Sequence, residues 1–377
     1  MPDRGDWRCV RLETFEQFTQ LAEAWSELLA RAQLGNVFLT HAWMRAWWQQ
    51  YGTGHQLWTL VIRRQDQLMG IVPLVRAHDD GGVRRLFFMS DFQVTPNHLD
   101  VIACPESRLQ VIRVLSEYLT HHRREWDILE LNRLPAESPT RETLTQFFAA
   151  HHTPWQSEPT RRCPFAVLPD TYAAYLEARG RETRKQLRQA FRTLARDLPQ
   201  AQLGQIGAHA ELDAAFDAMV ALHHAHWGAR GETGGYASEK FTAVHRAVAH
   251  DALERGTLRF YYVRVDDAYA AVYYCYRADA RIQAYTTVFD ERWTKQRLGM
   301  ILLAYALEQS IGEGAREFDF LQGEESYKAH WATQVREDWS VRIASPHPAG
   351  HWAWGKRYLP HQMRQSLKHL LPQREGD

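Results

Sequence analysis

Three closely spaced apolar and aromatic runs in the second half of the chain constrain its fold more than any other feature. Residues 258–265, 268–276 and 281–288 are rich in Tyr, Val, Ile and Phe and are separated by Asp266-Asp267 and by a turn near Asp279. Runs of that composition bounded by Asp turns predict strands joined as hairpins. A segment of helical period follows at 298–311, and a further short apolar run at 316–321. Hairpin, strand, helix, strand is an α/β order with a mixed central sheet flanked by helices.

The first half carries a comparable hairpin. Residues 57–63 and 68–76 are strand-like runs on either side of Arg64-Gln65-Asp66-Gln67. Ahead of it, Phe15, Phe18, Leu21, Ala22, Trp25, Leu28 and Leu29 recur at helical spacing, and a second helix is expected over 41–51 with Thr40 as its N-cap. Further strands are expected at 83–89, 99–103 and 128–131, with a helix over 106–122. Pro154, Pro159, Pro164 and Pro169 then crowd together, and proline opposes both helix and central strand, so the domain linker is expected there. The expected units are 1–160, 161–345 and a helical tail, 346–377. The matching position of the two hairpins suggests an internal duplication.

Composition mainly excludes. A chain of 377 residues with 45% apolar and 24% charged side chains is neither disordered nor fibrous. Lys+Arg and Asp+Glu are equal at 45 each, so no global field favours nucleic acid or anionic membrane; a local patch must supply any such binding. Cys9, Cys104, Cys163 and Cys275 show neither zinc-knuckle nor disulfide-framework spacing. The N-terminal residues lack the apolar core of a signal peptide, and no run approaches the roughly 20 apolar residues of a membrane span. A cytoplasmic protein without a transmembrane segment is expected.

Four local patterns carry candidate chemistry. The stretch from Phe318 to Trp331 reads Phe-Asp-Phe-Leu-Gln-Gly-Glu-Glu-Ser-Tyr-Lys-Ala-His-Trp. A strand-end Asp319, a turn at Gly323 and Lys328 on the next helical turn bring a cation to where oxyanion charge can develop. The plainer alternative is a surface lysine beside a Tyr327–Trp331 packing pair. Glu324 or Glu325 is either a base for an attacking amine or a solvated acid. The second pattern is Leu222 to Gly231, with His223 and His226 three apart on a helix. No third ligand stands at motif spacing, so no metal is predicted; His226, Trp227 and Arg230 are read as acceptor-binding or structural.

Third, Arg181, Arg184, Lys185, Arg188 and Arg192 share one face of a helix expected over 172–198, opposite Leu187, Phe191, Leu194 and Leu198. That face either grips a phosphorylated substrate, with Arg184 and Arg188 as contacts, or is simply solvated. Fourth, Asp91 follows a strand and either holds an acceptor's amine or hydroxyls or caps the strand end. The aromatic and basic stretch 352–371 reads as a tail docked on the body or on a membrane surface.

The Phe318–Trp331 stretch resembles the DFL-x-G-x-E-x-YK-x-x-W signature of the CelD/BcsL (BioF2-like) acetyltransferases of the GNAT superfamily, matching at Asp319, Phe320, Leu321, Gly323, Tyr327, Lys328 and Trp331. The related FemAB proteins carry an aromatic–Lys pair at a similar place. The resemblance implies tandem GNAT-like halves and an N-acyltransferase with acetyl-CoA as co-substrate and no tightly bound cofactor. It implies Lys328, Tyr327, Glu324 and Asp319 as catalytic candidates. It further implies a donor site at Val288, Lys295, Gln296, Arg297, Gly299 and Met300, where a helix start with nearby cations receives the pyrophosphate. Against the superfamily's R/Q-x-x-G-x-G/A pattern, Gln296 and Gly299 match and Ile301 departs. Asp91, Arg184, Arg188, His226, Trp227, Arg230 and Trp331 would hold the acceptor, an amine or saccharide of envelope or exopolysaccharide synthesis, with polysaccharide-synthesis proteins as partners. Two alternatives stay open: a FemAB-like transferase that uses aminoacyl-transfer RNA, and a non-catalytic partner in a polysaccharide-synthesis complex.

Overall fold

The computed structural model describes residues 7–323 and 325–358. Among the described residues, a mixed sheet of eleven strands runs through both halves, and a separate four-stranded sheet lies in the first. The expected second-half order is present. Leu258–Val265, Ala268–Ala278 and Arg281–Phe289 pair antiparallel, helix Leu298–Gly312 follows, and Glu317–Asp319 returns parallel to Arg281–Phe289.

Alternation along these strands sorts the core into two layers. Val272, Tyr274 and Tyr276 face helices His209–Gly228 and Glu239–Glu254 and the first half, while Ala271, Tyr273 and Cys275 face helices Gly180–Asp197 and Leu298–Gly312.

The expected linker is instead a strand. Trp155–Val167 lies inside the large sheet, paired along its length with Gln334–Ala344. The sheet's other contact on that side is short: Glu317–Asp319 reaches only Phe165, Ala166 and Val167. Pro159 and Pro164 therefore fall where one strand edge is not laddered, and Pro159 sits at a register shift, both places where a missing N–H is tolerated. Gln334–Ala344 in turn pairs with Ile128–Pro135 of the first half, so the boundary expected near 160 falls within a strand of a sheet shared by both halves.

Proline also corrects the first-half hairpin. Pro73 divides its second arm into Gln67–Val72, which stays with Leu60–Arg64 in the small sheet, and Leu74–His78, which joins the large one. Helix His41–Tyr51 begins where expected, with the Thr40 hydroxyl accepting from the Trp43 N–H at 3.2 Å. The helix expected over 172–198 is two, Tyr172–Ala178 and Gly180–Asp197, broken at Gly180, whose φ of +84° lies in the left-handed region. Of the tail, helix Pro348–Tyr358 is described; the remainder of 352–371 lies outside the described residues.

Candidate functional site

The site begins where two parallel strands part. Arg281–Phe289 pairs with Glu317–Asp319 only through Arg281, Ile282 and Gln283. Beyond Gln283 that edge of the longer strand is released from its parallel partner, leaving backbone polar groups along a notch. A bulge sharpens the effect: Tyr274 opposes Thr286 and Cys275 opposes Ala284, so Tyr285 is an extra residue. The bulge turns Tyr285 toward Val94 and Thr95 of the first half and Thr286 toward Tyr236, and returns Thr287 and Phe289 to the other face.

On that face lies a cavity of about 340 Å3 lined by Thr287 and Phe289, by Gly299, Met300 and Leu303, by Tyr327, His330 and Trp331, and by Tyr273. Thr183 and Gln186, from the first turns of helix Gly180–Asp197, close one side. The size and largely apolar lining suit a small-molecule site.

Helix Leu298–Gly312 points its start at this cavity. No side chain caps that start, and Arg297 before it adopts φ 55°, so its first N–H groups carry the partial positive charge of the helix end. A Cβ on Gly299 would meet the Phe289 ring at 3.3 Å, which explains why the smallest residue stands at this wall. Ile301 is fully buried in the core, so its departure from the superfamily pattern is directed away from the cavity.

The other donor-site candidates divide. Gly299 and Met300 line the cavity. Lys295 and Arg297 are exposed on the preceding 3-10 turn, and Gln296 is tied to Asp197 at 3.3 Å. The Val288 side chain points to the opposite core, as strand alternation requires, while its backbone belongs to the part of the strand released from Glu317–Asp319.

The Phe318–Trp331 stretch is divided as well. Tyr327 and Trp331 line the cavity, and the Tyr175 hydroxyl donates to the Trp331 carbonyl at 2.5 Å. Burial pushes the Tyr327 phenol above its ordinary pKa. Lys328, one residue along, faces away from the cavity. It is 4% exposed, donates from Nζ to the Gln322 carbonyl at 2.7 Å and pairs with Glu325 at 3.0 Å. This corrects its reading both as a surface lysine and as a cation at the notch. Glu324 lies outside the described residues.

Asp319 is fully buried and does not line the cavity. Its Oδ1 accepts from the Leu321 N–H at 2.8 Å, while Oδ2 meets His98 Nε2 at 2.9 Å and Arg336 at 3.2 Å. His98 Nδ1 meets Asp338 at 2.6 Å. Burial opposes the charged imidazole, but the two carboxylates prevail and raise its pKa to about 9. Asn97 beside it accepts from the Gln322 N–H at 3.2 Å, so a loop of the first half holds the turn that leads into the Tyr327 helix. His98, Cys163 and Asp338 form the metal-competent cluster found among the described residues. Both His98 ring nitrogens are already engaged by carboxylates, Nδ1 by Asp338 and Nε2 by Asp319.

Asp91 is corrected too. It is 1% exposed, and its two oxygens accept from Arg133 Nε at 3.0 Å and Asn132 Nδ2 at 2.8 Å, leaving it inside the first half rather than open to an acceptor. Trp227 Nε1 donates to His223 Nε2 at 3.0 Å, which puts the His223 proton on Nδ1; burial lowers that histidine's pKa to about 4. His226 and Arg230 both approach Glu291, at 3.3 and 3.0 Å, beside the end of strand Arg281–Phe289. Arg184 is half-buried and Arg188 exposed, on the helix that supplies Thr183 and Gln186 to the cavity.

Sequence reasoning did not single out His98, Arg336, Asp338 or Tyr273. His98 lies in a polar loop, Arg336 and Asp338 are charged residues inside a strand, and Tyr273 is one more aromatic in an apolar run; none has a partner at local spacing.

Residues 181–329 match the model of the Acetyltransferase (GNAT) domain. No curated protein matches the sequence. Among solved structures, FemX is similar over 96% of this chain and 99% of its own, with 8% identity and a TM-score of 0.62. A conserved protein of unknown function from Bacteroides thetaiotaomicron VPI-5482 is similar over 89% of this chain and 100% of its own, with 10% identity and a TM-score of 0.56. A C-terminal domain (DUF2156) from Agrobacterium fabrum, provisionally named a lysylphosphatidylglycerol synthetase, is similar over 93% and 97%, with 9% identity and a TM-score of 0.54. At these identities the likeness is one of fold. The family match spans the parted strands, the uncapped helix start and Tyr327, and it makes this part of the chain a GNAT-type acyltransferase domain.

Proposed function

We propose that the chain transfers an acyl group, acetyl from acetyl-CoA, to an amine or amino-sugar acceptor in envelope or exopolysaccharide synthesis, as the resemblance to CelD/BcsL proteins implies. The observation that carries the donor assignment is the parting of Arg281–Phe289 from Glu317–Asp319 over a cavity that the uncapped start of Leu298–Gly312 faces. Released N–H groups on the parted strand suit the thioester carbonyl, and the helix start suits the pyrophosphate. The acceptor nitrogen attacks the carbonyl carbon, the new C–N bond forms as the C–S bond breaks, and the proton lost by nitrogen balances the one gained by the thiolate. His226, Trp227 and Arg230, beside the end of the same strand, suit the acceptor side.

Calorimetry with acetyl-CoA tests the donor, using the wild type and Gly299→Trp. Binding that the substitution abolishes supports the assignment; no binding by the wild type sinks it. One observation favours a second reading. Arg181, Lys185, Arg188 and Arg192 are exposed along the helix that walls the cavity, a placement that also suits an aminoacyl-transfer RNA donor. RNA that copurifies and is charged with amino acid would move the assignment there.

A further inference from the structure

Tyr273 is an anomaly in the cavity wall. It is 2% exposed, lines the cavity, and its hydroxyl has no hydrogen-bond partner among the described residues. An unmet buried hydroxyl costs folding stability, and phenylalanine would pack there without that cost, so the oxygen is not explained by the fold. Its neighbours share the apolar character of the site: Phe289, Met300, Leu303 and Trp331 line the same cavity.

The ring's position locates the hydroxyl. Tyr273 is the register partner of Thr287, yet its ring centroid lies 5.9 Å from that of Phe318. Phe318 pairs with Ile282, next to the last register before the strands part. The side chain therefore leans back from the open end of the notch toward its apex, on the cavity face.

We propose that the Tyr273 hydroxyl donates a hydrogen bond to the thioester carbonyl oxygen of the acyl donor at the apex of the notch. The inference rests on the acyl-CoA reading of the cavity. It adds a side-chain donor to the backbone N–H groups that meet the same oxygen. The direction of the bond follows from the surroundings. Burial first, and then the nearby Tyr327, Cys275 and Glu325, hold the phenol well above its ordinary pKa, so it keeps its proton and acts as a donor. For the same reason it is a poor acid toward a departing thiolate, since a phenol held well above its ordinary pKa is a weaker acid than an alkyl thiol. A hydrogen bond that strengthens as the carbonyl gains charge is the role that remains.

The test compares acetyl-CoA with CoA, which keeps the pantetheine amides and lacks the thioester carbonyl. Affinities of both are measured by calorimetry on the wild type and on Tyr273→Phe, with melting of both proteins recorded. The expected result is a loss of about 3- to 10-fold for acetyl-CoA. CoA affinity should stay within about 2-fold and the melting temperature should be unchanged or raised. Equal losses for both ligands would assign the hydroxyl to an amide and overturn the proposal, as would no loss for either. A marked fall in melting temperature would make the hydroxyl structural and overturn it as well. A wild type that binds neither ligand would instead overturn the donor reading, and this inference with it.

Discussion

His98 Nε2 and Asp319 Oδ2 stand 2.9 Å apart across the junction of the halves, and both groups are buried. With Asp338 on its other nitrogen, the imidazolium ties the strand that ends in Asp319 to the strand shared by both halves. The histidine pKa is raised from 6.5 to about 9, so the stabilisation is complete below the unfolded value and is lost as pH rises through the folded one. The shift corresponds to something on the order of 3 kcal/mol. Asp319 is shifted downward by His98 and Arg336 against the effect of burial, so its own contribution fails only in acid, outside that window. Urea unfolding between about pH 6 and 9.5 should show the wild type losing stability while His98→Gln stays nearly flat. Parallel profiles would show that the pair is not the charged clamp described.

Lys328 acts on structure before chemistry. Its ammonium holds the Gln322 carbonyl at 2.7 Å from a site 4% exposed. Lys328→Met should cost about 1–3 kcal/mol of unfolding free energy, because that carbonyl and Glu325 lose their cation. Full stability combined with lost turnover would restore a direct role in the reaction.

Gly323 should couple to the same lysine. Its φ is +126°, and a Cβ there would fall 2.2 Å from Glu325 Oε2 and 2.7 Å from Lys328 Nζ. Gly323→Ala is expected to cost about 1–3 kcal/mol through backbone strain and displacement of the pair. In a double-mutant cycle its cost should shrink once Lys328 is already Met, since the ammonium it would displace is gone. Strict additivity would mean the Cβ is accommodated without moving the lysine.

The sequence made the second-half order legible because each strand is an apolar run closed by a turn; Gly299 and Met300 stood out at a helix start and Tyr327 and Trp331 through the resemblance, and all four line the cavity. The shared centre was hidden. Trp155–Val167 carries Pro159, Pro164 and three charged side chains, and Gln334–Ala344 carries Arg336, Glu337, Asp338 and Arg342. Those charges have distant partners: Arg336 meets Glu317 and Asp319, and Arg342 meets Glu130 and Glu158. His98 lies 221 residues from Asp319 and 240 from Asp338, so only the folded chain brings the three together. Local pattern reads an element by its exposed and buried faces; it fails where a buried strand is polar because its charges are neutralised from elsewhere.

The basic helix offers the sharpest choice between donors. Arg188 is exposed and Arg184 half-buried, one turn apart on the helix that brings Thr183 and Gln186 to the cavity. Charges there act on a phosphorylated donor through solvent, where the Debye length is about 8 Å at physiological salt, so the effect must weaken as salt is added. With acetyl-CoA as donor, the double reversal Arg184→Glu with Arg188→Glu should weaken binding by a few-fold, on the order of 1 kcal/mol, at low salt and much less at about 0.5 M. A transfer RNA neutralises several cations at once, and its affinity would fall steeply with salt, with a slope that the reversal reduces by about one for each phosphate left without its cation. Calorimetry for acetyl-CoA and filter binding for transfer RNA, each across a salt series, separate these cases. A shallow, reversal-sensitive acetyl-CoA response with no steep transfer RNA binding is the outcome expected. The opposite pair of results would transfer the notch to an aminoacyl donor.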